Sequence, residues 1–265
     1  MSTILDEHRR YLADEPRLEA FRRAIFDRVK PGDVVLDLGA GTGILGLLAA
    51  EAGAARVYSV EATALIELTR QIASANGVRD RFRFLRELST SAQLPEKVDV
   101  VVADQIGGFG FEAGLFQFFA DARRRLLTPA GCTIPSKVEL WAAPVETSDV
   151  RAKIDFWGQP TRVFDVSPVT ERAVNSSHPA VLQREDLLAP PVLLLSADPT
   201  DHVLDPWRLE ATFTVVRPGT LDGIGGWFSA ELAPGVHLTN SPLSVNRIDR
   251  SNVFFPVDRA LAVGP

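Results

Sequence analysis

Val34 to Gly46 reads VVLDLGAGTGILG, and this stretch decides the fold. An apolar run interrupted by one acid, Asp37, makes a buried strand. Gly39, Gly41 and Gly43 follow at alternate positions, where they permit a tight turn and the close approach of a ligand to the backbone. ILGLLAAEAG, Ile44 to Gly53, then reads as a helix stopped by glycine.

Working outward, the same alternation continues. ARVYSVE (Ala55 to Glu61) is a strand and ALIELTRQIASANG (Ala64 to Gly77) a helix; RFRFL and KVDVVVAD are strands, and GLFQFFADARRRLLTPAG is a helix. Strands alternating with helices imply a parallel sheet covered on both faces. After Pro135 the rhythm changes. KVELWAAPV, RLEATFTVV, GGWFSAEL and GVHLTN are short, partly alternating and bounded by Pro, Gly or Asp, which suits an antiparallel sandwich or barrel. The sequence predicts an N-terminal helical segment over 1–30 with a helix from about Leu12 to Val29, an α/β domain over 31–135, and a β-barrel-like domain over 136–265. An arm at about 160–206, with TERAVNSSHPAVLQREDLL as a helical stretch, interrupts the last of these.

The bulk properties narrow the function. A net charge of −6 over 265 residues argues against a nucleic-acid backbone as partner and tolerates a cationic substrate. The single cysteine, Cys132, excludes an internal disulfide and a cysteine-rich zinc site. The start is charged and has no apolar leader, and no apolar run is long enough to span a bilayer; a cytoplasmic protein is expected, with no membrane partner. No set of His, Asp and Glu has metal-ligand spacing, and His178, His202 and His237 are isolated, so no metal is expected.

Which ligand suits the glycine turn? Gly41, Gly43 and Gly46 also match a dinucleotide fingerprint. A pyrophosphate, however, would be repelled by Asp37 just before the glycines. S-adenosylmethionine has no phosphate and carries an ammonium and a sulfonium, so it suits that acid. Glu61 ends the second strand, where a ribose hydroxyl needs an acceptor. The alternative is that Asp37 caps the turn and Glu61 the next helix.

The stretch Val34 to Thr63 resembles the cofactor-binding core of the protein arginine methyltransferases. The likeness extends upstream to HRRYLADEPRLEAF and downstream to LPEKVDVVVADQIGG and RRRLLTPAGCTIPS, then more faintly to GIGGWFSAEL and NVFFPV. The resemblance implies a Rossmann-type methyltransferase domain followed by a β-barrel, often dimeric through an arm. It implies S-adenosylmethionine as methyl donor, with Arg17 on its carboxylate and Asp37, Gly39, Gly41 and Gly43 lining the methionine end. Glu61, with its neighbour Ala62, would hold the ribose, His8 is a further contact, and Ser89 falls near the adenine position.

On the acceptor side the family pattern breaks. The first of the family's two acceptor glutamates is Asp104 here, and the second is best matched by Glu112 on a loop one residue shorter, GGFGF. Ile248, Asp249 and Arg250 stand where a Thr-His-Trp motif is expected. Carboxylates beside the donor would hold an ammonium and accept its proton, so Asp104, with Glu112, Asp249 and Tyr11 as companions, forms the candidate acceptor site. The competing readings are a strand-end cap for Asp104, a helix-dipole acid for Glu112 and a solvated turn acid for Asp249. A site without the full bidentate clamp suggests an alkylamine more than arginine.

The sequence therefore predicts an S-adenosylmethionine-dependent N-methyltransferase acting on an amine of a small molecule or peptide-derived natural product. The alternatives are a divergent protein arginine methyltransferase and, from another class, a non-catalytic scaffold that retains the fold. A homodimer is expected. Asp104→Asn is expected to spare donor binding and to lower turnover about 100-fold.

Overall fold

The computed structural model describes residues 2–159, 163–201 and 208–265. His202, and the two ends of the expected arm at 160–162 and 202–207, lie outside the described residues.

Two helices come first, α1 (Ser2–Ala13) and α2 (Glu15–Arg28). Asp14 separates them: its carboxylate accepts a hydrogen bond from the Arg17 N–H at 3.2 Å and so caps α2. The single helix expected from about Leu12 to Val29 is thus broken by an N-cap. Arg17, Ala20, Phe21, Ala24 and Ile25 are the buried stripe of α2, at the spacing of one helical face. Arg17 is carried inward on that stripe.

The first sheet and its helices run β1 (Val34–Leu38), α3 (Ile44–Glu51), β2 (Arg56–Val60), α4 (Ile66–Ala75), β3 (Phe82–Leu85), β4 (Val98–Val102), α5 (Leu115–Arg125) and β5 (Leu127–Ile134). Its order is β3-β2-β1-β4-β5, with every pairing parallel. The chain moves to one side of β1 and then to the other, so β1 and β4 flank the switch point, where such sheets bind ligands beyond their carboxyl ends. Asp37 pairs with Val102 across that gap. The loops after these two strands carry Gly39 to Gly43 and Asp104, which is why they meet. TPAG, expected to continue a helix, lies instead in β5.

The remaining elements are β6 (Lys137–Val145), α6 (Ser148–Asp155), α7 (Thr170–Val174), β7 (His178–Ala180), β8 (Val192–Ala197), β9 (Gly219–Ala233), β10 (Val236–Thr239) and β11 (Asn252–Val263). These strands form an antiparallel sheet of order β7-β11-β9-β6-β8, with β10 added along β9. A Rossmann-type parallel sheet followed by an antiparallel one is the arrangement the sequence predicts. Two details differ. RLEATFTVV forms no strand, because its alternation finds no partner, while VLLLSA, which is nearly all apolar, forms the outer strand β8. The expected helical stretch from Thr170 to Leu188 is one short helix followed by β7.

One core spans both sheets: Phe21 and Ile25 of α2 pack with Val35, Leu36 and Val101 and also with Phe228 and Leu238. Helix α2 is therefore wedged between the two sheets, and the loops at its amino end face both.

Candidate active site

Two cavities meet in front of the switch point. The donor-side cavity, about 220 Å³, is walled by His8, Arg17, Gly39, Gly41, Glu61 and Gln105, among others. The acceptor-side cavity, about 880 Å³, runs between the amino end of α2, the loop after β4 and the chain leading into β11. Tyr11 and Asp104 line both.

The donor side is built on glycine. Gly39, Gly41 and Gly43 all have positive φ, of 70°, 56° and 81°, a region that side chains rarely adopt. A Cβ on Gly39 would strike the Gln105 amide, and one on Gly41 the His8 ring. The turn is held from two sides: the Thr69 hydroxyl donates to the Gly41 carbonyl at 2.6 Å, and the Gly41 N–H donates to Glu61 at 3.1 Å. Asp37 lies beneath it, 1% exposed, accepting from the Gly46 N–H at 3.0 Å. Burial pushes the Asp37 carboxyl up to about 7, and Glu61 adds to the rise, while the Gly46 bond and Arg17 oppose it.

These features fit S-adenosylmethionine. The cradle is filled by any Cβ, no lysine lines the cavity, and one cation, Arg17, and one carboxylate, Glu61, do. His8, Arg17, Gly39, Gly41 and Glu61 are brought together as expected. Asp37 supports the turn from below and does not wall the cavity. Gly43 caps α3 from the end of the turn. Ala62 is exposed and Ser89 lies away from the cavity, its carbonyl taken by Arg125 at 3.0 Å. The structure therefore does not place these last two on the donor.

The acceptor side is walled by five carboxylates (Asp14, Glu15, Asp104, Glu112 and Asp249) and three guanidiniums (Arg10, Arg247 and Arg250). Asp104 is its centre. Its side chain is 8% exposed, and it accepts from Arg17 Nε at 2.6 Å and from both terminal nitrogens of Arg250, at 3.0 and 2.8 Å. Burial alone would raise this carboxyl, but Arg250 and Arg17 together hold it below the usual aspartate range. Asp104 is thus held ionised while both arginines are in place.

The other expected acids do different work. Glu112 folds back on its own loop, accepting from the N–H groups of Gly108, Phe109 (2.8 Å) and Phe111 (3.3 Å). It shapes the loop, three residues ahead of α5, and is not a helix-dipole acid. Asp249 is exposed on the cavity wall, and its N–H donates to Asp14 at 2.8 Å. Tyr11 donates to Glu7 at 2.7 Å, and burial together with that bond raises its hydroxyl to about 12, so it remains a neutral hydrogen-bonding group.

The sequence reading missed several contributors. Asn240 is 1% exposed; it donates to the Gly108 carbonyl at 2.7 Å and to Ser251 at 2.9 Å, and accepts from the Phe228 N–H at 3.0 Å. It ties the acceptor loop to the second sheet. Thr69 also holds the donor turn, and Gln105, directly after Asp104, packs against Gly39. Thr69 lies a full helix away from the glycines in sequence, and only the fold brings it close. Among the described residues no cluster of His, Cys, Asp and Glu has the form of a metal site, and no helix is long and apolar enough to cross a membrane.

Comparison with known proteins agrees with this geometry. A family model described as ribosomal protein L11 methyltransferase (PrmA) matches residues 18–136. Protein arginine N-methyltransferase 6 of Xenopus laevis is 31% identical over 250 residues, spanning 89% of this chain and 73% of the relative. Protein arginine N-methyltransferase PRMT10 of Oryza sativa subsp. japonica is 37% identical over 155 residues, 58% of this chain and 41% of the relative. Among solved structures, the Trypanosoma brucei PRMT1 enzyme–prozyme heterotetrameric complex with AdoHcy matches with a TM-score of 0.86 at 22% identity, over 97% of this chain and 83% of that one. Arabidopsis thaliana protein arginine methyltransferase 10, in an open conformation, matches with a TM-score of 0.82 at 24% identity, over 98% and 84%.

Proposed function

The chain belongs to the protein arginine N-methyltransferase family, and from that premise we propose that it methylates an arginine nitrogen of a protein substrate. It is an S-adenosylmethionine-dependent methyltransferase. The observation that carries the arginine reading is the fork between Asp104 and Arg250. The shortened carboxylate already holds a guanidinium through two parallel hydrogen bonds, at 3.0 and 2.8 Å, beside the donor cavity. The sequence-based preference for an alkylamine rested on the supposed loss of that geometry. The relatives support the same reading, since those compared are named for protein arginine methylation, and nothing comparable supports a small-molecule amine or a role in natural-product assembly.

The donor supplies a methyl group on a sulfonium, and transfer is an in-line displacement that depends mainly on alignment. Arg17 would hold the donor's carboxylate end and Glu61 its ribose. Asp104 orients the target guanidinium and balances its charge in a half-enclosed cavity. The proton released on methylation passes to water in the acceptor cavity. We further propose that the protein is a cytoplasmic homodimer, with exposed Phe164 of the arm and the nearby Phe156 at its self-association surface.

A second reading, a donor-binding but non-catalytic partner, is favoured by one observation: both oxygens of Asp104 are engaged by arginines of the chain itself. Incubation with labelled S-adenosylmethionine and a Gly/Arg-rich peptide separates the two. Methylarginine located by mass spectrometry is the expected result. Transfer only to alkylamines, or S-adenosylhomocysteine binding without transfer to any acceptor, would overturn the proposal.

A further inference from the structure

Arg250 reaches Asp104 from the acceptor-side cavity. Its guanidinium forks onto Asp104 and leans over the Tyr11 and Phe228 rings, 5.7 and 6.0 Å from their centroids. Its side chain is 12% exposed, and it lines the acceptor cavity on the side facing Asp104. Arg17 alone would suffice to balance the Asp104 charge from the donor side, at 2.6 Å. Arg250 is therefore a second cation on a carboxylate that already has one, and it lines the acceptor-side cavity whereas Arg17 lines the donor-side one.

Resting on the arginine reading above, we propose that Arg250 is a specificity-determining residue: an internal guanidinium that competes with the acceptor for Asp104 and admits only a group able to replace its fork. A substrate arginine presents the same planar pair of donors and exchanges one for one. A lysine or alkylamine presents a compact ammonium that makes no fork, so it leaves Arg250 in place. The displaced guanidinium has somewhere to go. Asp249, the preceding residue, is exposed on the same cavity wall, and Glu15 lies on the wall formed by α2. Selectivity for guanidinium over ammonium then arises from a residue that the substrate must displace, as well as from the carboxylate that receives it.

The test compares wild type, Arg250→Ala and Arg250→Lys for methyl transfer to a Gly/Arg-rich peptide and to the same peptide with lysines at the arginine positions. Calorimetry with S-adenosylhomocysteine is run on each protein. Donor affinity is expected to change little. The KM for the arginine peptide is expected to fall about tenfold in both variants, because the competent state no longer shares Asp104 with an internal fork. The lysine peptide, inert with wild type, is expected to become a substrate of Arg250→Ala. An unchanged or raised arginine KM, with lysine still inert, would overturn the proposal, as would an effect seen in Arg250→Ala but absent from Arg250→Lys, which would make it charge alone. Should Arg250→Ala fail to fold, Arg250→Lys carries the same comparison. Failure of the methyltransferase reading itself would show separately, as no S-adenosylhomocysteine binding by wild type.

Discussion

Asp104→Asn is expected to destabilise the protein by about 3–5 kcal/mol and to lower methyl transfer about 100-fold or more. The sequence alone suggested a purely catalytic loss, but the structure adds a structural one. Asp104 is the shared counter-ion of Arg17 and Arg250, and all three side chains are nearly buried, at 8%, 5% and 12% exposure. Asparagine keeps one acceptor oxygen and turns an NH₂ towards a guanidinium that has only donors to offer. Two buried cations then face each other without compensation. The depressed Asp104 pKa carries the same information: a carboxyl held below its unfolded value contributes stability above that value and loses it as pH falls through the folded one. Acid should therefore loosen this junction. Urea unfolding and donor titration of the variant check the prediction; an unfolding free energy within about 1 kcal/mol of wild type would contradict it.

Donor affinity is expected to weaken by about tenfold as pH falls from 8 to 6, through the titration of Asp37 near pH 7. The sign follows from the charges. Burial favours the neutral acid in the free protein, whereas a cationic donor above the turn favours the carboxylate. Binding therefore releases a proton when the pH lies below the Asp37 pKa, and lower pH opposes binding. In the free protein the linkage has the opposite sense to that of Asp104: the raised pKa makes Asp37 a stabilising group at low pH, and that stability is lost as pH rises through about 7. Calorimetric titration with S-adenosylmethionine at several pH values measures the first effect. Asp37→Asn should flatten the profile, and a variant that retained it would assign the dependence to another group.

The donor half was legible because its signals are local. Asp37, the alternating glycines and Glu61 lie within 25 residues, and the backbone conformations they require follow from residue type. Arg17 was legible only through the family resemblance of HRRYLADEPRLEAF, and α2 brings it inward on the same stripe as Phe21 and Ile25. The acceptor half was not legible in this way. Arg250 and Asp104 are 146 residues apart, and nothing in DRSNV marks an arginine that will be drawn into a buried fork. Asn240 is equally silent in sequence, because its three hydrogen bonds exist only once two sheets and a loop have met. Glu112 and Asp249 were read as acids of the site from where they fall on the family's acceptor motifs, whereas one is used up by its own loop and the other is exposed. The strands of the second sheet show the same limit. RLEATFTVV alternates and forms no strand, while VLLLSA does not alternate and forms one, since an outer strand is defined by its neighbour more than by its pattern.

Asp104 is the point where the donor-side and acceptor-side cavities meet, with Arg17 on one side and Arg250 on the other. A crystal structure with S-adenosylhomocysteine and an arginine-containing peptide tests this most directly. The predicted result places the donor carboxylate on Arg17 and the target guanidinium on Asp104 at about 2.7–3.0 Å, in the position now held by Arg250. A complex in which the target arginine reaches the donor sulfur while Asp104 still holds Arg250, and touches no part of the peptide, would contradict it.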